Sequence, residues 1–393
     1  MSRIRLDKKR IPSVVQLGAM SRIRFVPKPF GYIRPLTQAS KTKIRDHTHR
    51  RSDVFLRPAN TEEGMPKKIY WILPVLTICA LCALPLRAQQ QRAAAKPDSP
   101  EVLAHIEKAK KIAGTYWASA EHFLCEAPRA NPTTDPGPVK LFDNFWAIPG
   151  QYSVGNAVTY VFPTSAGIMI IDPGHAKDVE TVLLPGLKTL GLDPANIKVV
   201  ILAHGHEDHY GGAAYLQQHY GAHLYMAAAD WDFINIPRPP AAGGNAAPPA
   251  PLPKRDMNAF EGVPITLGDE SVTPVFIPGH TPGSLGLIFP VKDGGKMHVV
   301  GMVGGGFIAQ GPASQVQEFI DSIQHFEEWT KKMKVDVEIQ NHPVFDGFAD
   351  KLTALRARKP GEPNPFVVGQ ENYTRFLDLM IECAKATRDR QKD

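Results

Sequence analysis

The sequence predicts a mixed α+β or α/β fold, with two sheets packed face to face and helices covering the outer faces. Three observations lead there. Residues 142–149, 157–163 and 167–172 read as successive short strands joined by Gly/Ser/Pro turns, which is a meander. Beyond residue 178 the rhythm becomes βαβα: an amphipathic segment at 179–192, an apolar strand at 197–202, then helical spacing through Ala213, Leu216 and Tyr220. A chain of 393 residues with 43% hydrophobic composition can bury a substantial core.

Taken in order, the chain opens with a basic arm. Residues 1–64 hold 15 Lys/Arg against 5 Asp/Glu, while the remainder holds 30 against 34, so the net charge of +6 belongs to the arm. The globular part is mildly acidic, and no nucleic-acid partner is expected. The arm lacks periodicity and repeats Met-Ser-Arg-Ile-Arg at positions 1 and 20. It reads as disordered, and Met65 is the expected true start. Residues 65–88 have a charged start, an apolar run and a small residue at Ala88, the pattern of a secretory signal peptide. Export to the periplasm or the medium follows. The alternative is an inner-membrane anchor through residues 69–86, since about 18 apolar residues is near the lower limit for spanning.

Residues 89–138 read as a linker followed by an N-terminal helix over 101–124, with Val102, Ile106, Ile112, Tyr116 and Trp117 at helical spacing. The remainder, 139–393, reads as one domain. Within it, 236–256 is a Pro/Ala/Gly loop that cannot form a packed element. Strands are expected at 221–226, 263–267, 271–277, 286–290, 297–302 and 335–339, and helices at 227–234, 314–333, 347–358 and 370–388. Cys79 and Cys82 would leave with the signal segment. Cys125 and Cys383 flank the domain; free thiols are the favoured reading, with a disulfide the alternative in an oxidising compartment.

The chemistry concentrates after the 197–202 strand, in Ala203-His204-Gly205-His206-Glu207-Asp208-His209. Imidazole and carboxylate suit a borderline cation such as zinc. On an extended or tightly turned backbone His204 and His206 can point to one side, while Asp208 and His209 reach a second point. One short loop could therefore hold two metals. An isolated His-X-His is more often a solvated loop, but three histidines and two carboxylates at the end of a strand outweigh that reading.

This His-X-His-X-Asp-His stretch resembles the signature of the metallo-β-lactamase superfamily. The similarity extends to 168–174, which ends in Asp172-Pro173-Gly174, to Pro278-Gly279-His280-Thr281, and to Asn341-His342-Pro343, covering about residues 140 to 345. The resemblance implies a four-layer αββα sandwich. It implies a first zinc on His204, His206 and His280 and a second on Asp208, His209 and His342. It implies a metal-bound hydroxide as the nucleophile, oriented by Asp208, with Asp172 bracing the metal loop. His175 is not a motif position and reads as an exposed loop histidine.

Two departures narrow the resemblance. Glyoxalase-type members place a bridging Asp near residues 300–307, where this chain reads Val300-Gly301-Met302-Val303-Gly304-Gly305-Gly306-Phe307. No carboxylate and no Cys stands there, which points to the third subclass of class B β-lactamases. That subclass usually has serines nearby for the substrate carboxylate; here only Ser314 is a candidate, and a tight turn is the expected role of the three glycines. The expected function is an exported di-zinc hydrolase of a small-molecule cyclic amide, of the kind linked to antibiotic resistance. The alternatives are a lactonase or other ester/amide hydrolase, or a non-catalytic metal-binding protein of this fold.

Overall fold

A computed structural model describes residues 97–126, 137–149, 157–237, 249–306 and 311–392. The basic arm, the signal-like segment and residues 238–248 of the Pro/Ala/Gly loop lie outside these.

Twelve strands form two sheets. The first runs in sequence order from β1 (Val139–Phe142) through β2 (Phe145–Pro149), β3 (Val158–Thr164), β4 (Gly167–Ile171), β5 (Ile197–Ile201) and β6 (His223–Ala227) to β7 (Met257–Ala259). Its first four strands are antiparallel and its last four parallel. The second sheet has the order β12-β11-β10-β9-β8, from β8 (Ile265–Leu267), β9 (Glu270–Phe276), β10 (Leu285–Asp293), β11 (Lys296–Val303) and β12 (Val337–Glu338). Only the β11–β12 pair is parallel within it. The helices are α1 (Pro100–Ala113), α2 (Ala118–Glu121), α3 (Leu184–Thr189), α4 (Glu207–Tyr210), α5 (Ala213–Tyr220), α6 (Ala228–Phe233), α7 (Ala313–Met333), α8 (Phe348–Ala357) and α9 (Gln370–Arg390).

Strand alternation divides the apolar residues into three cores, and three cores make four layers. On β4, Met169 and Ile171 face the second sheet, where they join Phe145, Tyr160, Leu287, Phe289 and Met302. Ile168 and Ile170 face the opposite way, onto Leu187, Leu216 and Trp231 of α3, α5 and α6. On the far side, Val275 and Ile288 meet Val316, Phe319, Ile323 and Phe326 of α7 and Phe376 and Met380 of α9. Helix α1 joins that outer layer through Val102, Ile106 and Ala109, a stripe at helical spacing. The αββα architecture is thus present.

The structure corrects several boundaries. The expected helix at 101–124 stops at Ala113, where Gly114 takes φ +55° and caps the end. Residues 142–149 form part of two strands, because the chain turns at Asp143 and Asn144. The buried Asn144 amide donates to Glu270 and its oxygen accepts from Lys292 N–H, tying that turn to the second sheet. Strand β7 was not expected, since the Pro/Ala/Gly stretch ahead of it hides the periodicity. Cys125 and Cys383 are joined as a disulfide, correcting the expectation of free thiols. The pairing closes a 258-residue separation that linear spacing does not reveal. Among the described residues no helix is long and apolar enough to cross a membrane.

Candidate metal centre

Parallel pairing of β4, β5 and β6 brings their carboxyl ends to one edge of the first sheet. Asp172 follows β4, His204 follows β5, and Asp230 lies in α6 just after β6. The second sheet is pinned to that edge where Leu285 N–H donates to Ala203 O at 2.9 Å, and within that sheet Gly304 N–H donates to Leu285 O at 3.0 Å. Loops carrying His280 and His342 therefore arrive where β5 releases its histidines.

The structure gathers the six residues into two groups, His204/His206/His280 and Asp208/His209/His342, with ligand atoms within 4.8 Å of one another in each. His206 Nδ1 and His280 Nε2 are 2.9 Å apart, and His209 Nε2 and His342 Nε2 3.0 Å apart. Asp208 Oδ2 lies 3.3 Å from His209 Nε2 and 3.4 Å from His342 Nε2. The two groups touch, since the His204 and His209 rings are 3.8 Å apart between centroids.

Two of the rings, His204 and His209, are aimed by a partner on the other nitrogen. His204 Nδ1 is 2.6 Å from Gly304 O, so Nδ1 carries the proton and donates. Its Nε2 is left buried with no hydrogen-bond partner, an uncompensated lone pair in the middle of the first group. His209 Nδ1 donates to Asp172 Oδ2 at 2.7 Å, which turns its Nε2 towards Asp208 and His342. An orphaned imidazole nitrogen and converging His/Asp atoms suit a divalent cation of the zinc type.

Two buried carboxylates hold the loop. Asp172 accepts from His209 through Oδ2 and from Ala203 N–H through Oδ1 at 2.8 Å. It does so from a left-handed backbone at φ +52°, a conformation that aspartate tolerates better than most residues. Asp230 accepts from Gly205 N–H and Gly283 N–H at 2.7 Å each and from Thr281 Oγ at 2.6 Å. It thereby ties the turn between His204 and His206 to the turn after His280. Sequence reasoning passed over Asp230. The available signal was an acid in an otherwise apolar Ala-rich segment just after a strand beside β5.

The electrostatics of the two groups differ. Burial, reinforced by the neighbouring histidines, pushes His204 well below the usual imidazole range. For His209, burial is outweighed by Asp208 and Asp172, which push it up to about 10. For Asp208, burial is likewise outweighed by His209, His342 and His206, which hold the carboxyl far below the usual range. His204 thus favours the neutral imidazole with its lone pair available, whereas His209 favours the positive charge.

Glycines 304–306 do not form a left-handed turn; space is what excludes side chains there. A Cβ on Gly304 would meet Leu285 O, one on Gly305 the Ser284 hydroxyl at 2.5 Å, and one on Gly306 the Phe345 ring at 2.5 Å. The Gly304 carbonyl serves the site directly, accepting from His204 and from the Asn341 amide at 2.5 Å. Aromatic rings flank both groups: Phe233 is 6.1 Å from His206 and Phe345 5.7 Å from His342, centroid to centroid. Ser314 lies elsewhere, lining a surface groove with Phe276, Pro278 and Gln315 that none of the six residues enters.

Residues 152–293 match the family model described as "Metallo-beta-lactamase superfamily". The chain is 35% identical over 121 residues to hydroxyacylglutathione hydrolase GloC of Haemophilus influenzae, covering 30% of this chain and 54% of that one. It is 26% identical over 146 residues to the probable metallo-hydrolase YflN of Bacillus subtilis, covering 34% and 54%. This chain spans about half the length of these curated relatives. Among solved structures, the native FEZ-1 metallo-β-lactamase of Legionella gormanii superposes with TM-score 0.55 at 18% identity, covering 67% of this chain and 99% of its own. The metallo-β-lactamase SMB-1 superposes with TM-score 0.52 at 20% identity, covering 67% and 97%. At those identities the superpositions speak to the fold alone. With the matching family model, the two-sheet fold and the clustered histidines, this chain carries a domain of the metallo-β-lactamase superfamily.

Proposed function

We propose that this protein is an exported hydrolase that holds two zinc ions and opens a cyclic amide of the β-lactam kind. The observation that carries the reading is the pair of adjoining three-residue groups, with the His204 Nε2 lone pair buried and unpartnered between them. His204, His206 and His280 would hold one ion, and Asp208, His209 and His342 the other. When bound, such ions supply Lewis acidity towards a carbonyl and bring the pKa of a water to roughly 7.

The residues of the chain do the rest. Gly304 O and Asp172 fix the tautomers of His204 and His209, keeping both Nε2 atoms turned inward. Asp208, held ionised, can orient an attacking water by accepting a hydrogen bond from it. Phe233 beside His206 and Phe345 beside His342 give each group an apolar neighbour. The Cys125–Cys383 disulfide supports export, because such bonds persist in oxidising compartments.

A second reading, an ester or thioester hydrolase on the same site, is favoured by the 35% identity to hydroxyacylglutathione hydrolase GloC. Against its thioester form stand the three glycines where glyoxalase-type members place a bridging carboxylate. Purified protein assayed with a carbapenem, an acyl-homoserine lactone and a hydroxyacyl-glutathione, with and without chelator, separates these. The proposal expects chelator-sensitive opening of the carbapenem. Turnover of only the lactone or thioester transfers the site to the second reading. Inactivity on all three with zinc loaded removes the hydrolase claim.

A further inference from the structure

His342 sits in the segment linking β12 to α8, and one lysine holds that segment from both sides. Lys351, on the first turns of α8, contacts Glu338 Oε2 at 2.5 Å and Asp346 Oδ2 at 3.0 Å. It also donates to Glu338 O at 3.3 Å. Glu338 stands four residues before His342 and Asp346 four residues after it, and both side chains are fully buried. The Lys351 side chain is itself 10% exposed, and its ammonium lies 5.3 Å from the Trp117 ring and 5.5 Å from that of Phe366. Trp117 comes from the N-terminal helical segment and, like Lys351, Glu338 and Asp346, lies outside residues 152–293.

Hydrogen bonds among the described residues also hold the two ends of the segment. Val158 N–H donates to Asn341 O at 2.8 Å and Tyr160 Oη to Gln340 O at 2.7 Å, fixing its start. After His342, Phe345 N–H donates to His342 O at 3.2 Å and Phe348 N–H to Asp346 Oδ1 at 3.1 Å. Asp346 is thus anchored by Lys351 and by the first turn of α8, while Phe345 packs on Phe123 and, edge-on, on His342.

We propose that Lys351 is a positioning residue for the second metal group: by bridging Glu338 and Asp346 it sets where His342 meets Asp208 and His209, and so governs affinity for the second ion. This rests on the two-metal reading. A buried ammonium between two carboxylates is a costly arrangement where an apolar contact would serve. Its geometric product here is a fixed distance across the His342 segment.

The test is zinc uptake by the full chain, measured by mass spectrometry of metal content after dialysis at graded zinc concentrations. Wild-type protein takes up two equivalents. Lys351→Met leaves both Glu338 and Asp346 unpaired and can unfold the chain, so Lys351→Met/Glu338→Gln/Asp346→Asn, which removes all three ionisable groups, is made alongside. The proposal expects the variant to keep its first equivalent at unchanged affinity and to bind the second about 10- to 100-fold more weakly. A role in stability alone would lower the melting temperature of the metal-free protein and weaken both equivalents alike. Either that result or two unchanged equivalents overturns the proposal. Wild-type protein that takes up one equivalent or none overturns the two-metal reading itself, before Lys351 is altered.

Discussion

The two candidate metal groups lie side by side and are built on opposite electrostatic terms. His204, His206 and His280 form an all-imidazole cluster whose central ring is kept neutral by burial, and its support, Asp230, acts through backbone N–H groups and a hydroxyl. Asp208, His209 and His342 include a carboxylate, and their support, Asp172, touches a ring directly. His204 offers its lone pair to a borderline cation such as zinc, whereas the carboxylates around His209 favour its positive charge. One loop can serve both because each brace fixes a different part of it: Asp230 the turn at Gly205, Asp172 the strand exit at Ala203 and the ring of His209.

That contrast can be broken by substitution. The largest effect is expected from His280→Ala, which removes one imidazole of the first group and should lower hydrolysis on the order of a thousandfold, read as kcat/KM. Next comes Asp172→Asn. It takes a charged acceptor from His209 and should lower stability by about 2–3 kcal/mol in a denaturant melt. It should also weaken the second zinc equivalent about 10- to 100-fold while sparing the first. Asp230→Asn keeps one accepting oxygen and should weaken the first equivalent about tenfold, sparing the second. If the two substitutions exchange their effects, the assignment of each brace to its group is wrong.

The smallest effect lies away from both groups. Burial of Glu382 is outweighed by hydrogen bonds from Lys385, His105 and Lys108, which bring its carboxyl down to about 2. A folded pKa below the ordinary 4.5 contributes stability that is complete above pH 4.5 and is lost as pH falls towards 2. Thermal melts across that window should show roughly 1–2 kcal/mol of loss. Glu382→Gln should flatten that dependence without changing zinc uptake at neutral pH. A variant whose metal content changes would tie the α1–α9 seam to the site after all.

Much of the site was legible because its donors are chemically conspicuous. His204, His206 and His209 stand within six positions, and His280 and His342 follow Pro-Gly and Asn in loops after strands. Strand alternation likewise showed, since Ile168/Ile170 and Met169/Ile171 alternate along a run that two cores share. What linear reading missed depends on contacts at long separation. Asp230 is unremarkable until β6 is paired beside β5 and its carboxylate is brought under Gly205 and Gly283. The three glycines at 304–306 read as a turn because crowding from Leu285, Ser284 and Phe345 cannot be seen along the chain. The Cys125–Cys383 bond stayed hidden for the same reason, as the turn at 122–126 that follows α2 meets α9 only in the folded layer.

The central claim is that six side chains form two adjoining cation sites. Anomalous diffraction at the zinc edge from crystals grown with zinc measures it most directly. Two peaks are expected, one against His204, His206 and His280 and one against Asp208, His209 and His342. No peak at either group, or zinc bound only at other residues, would contradict the account.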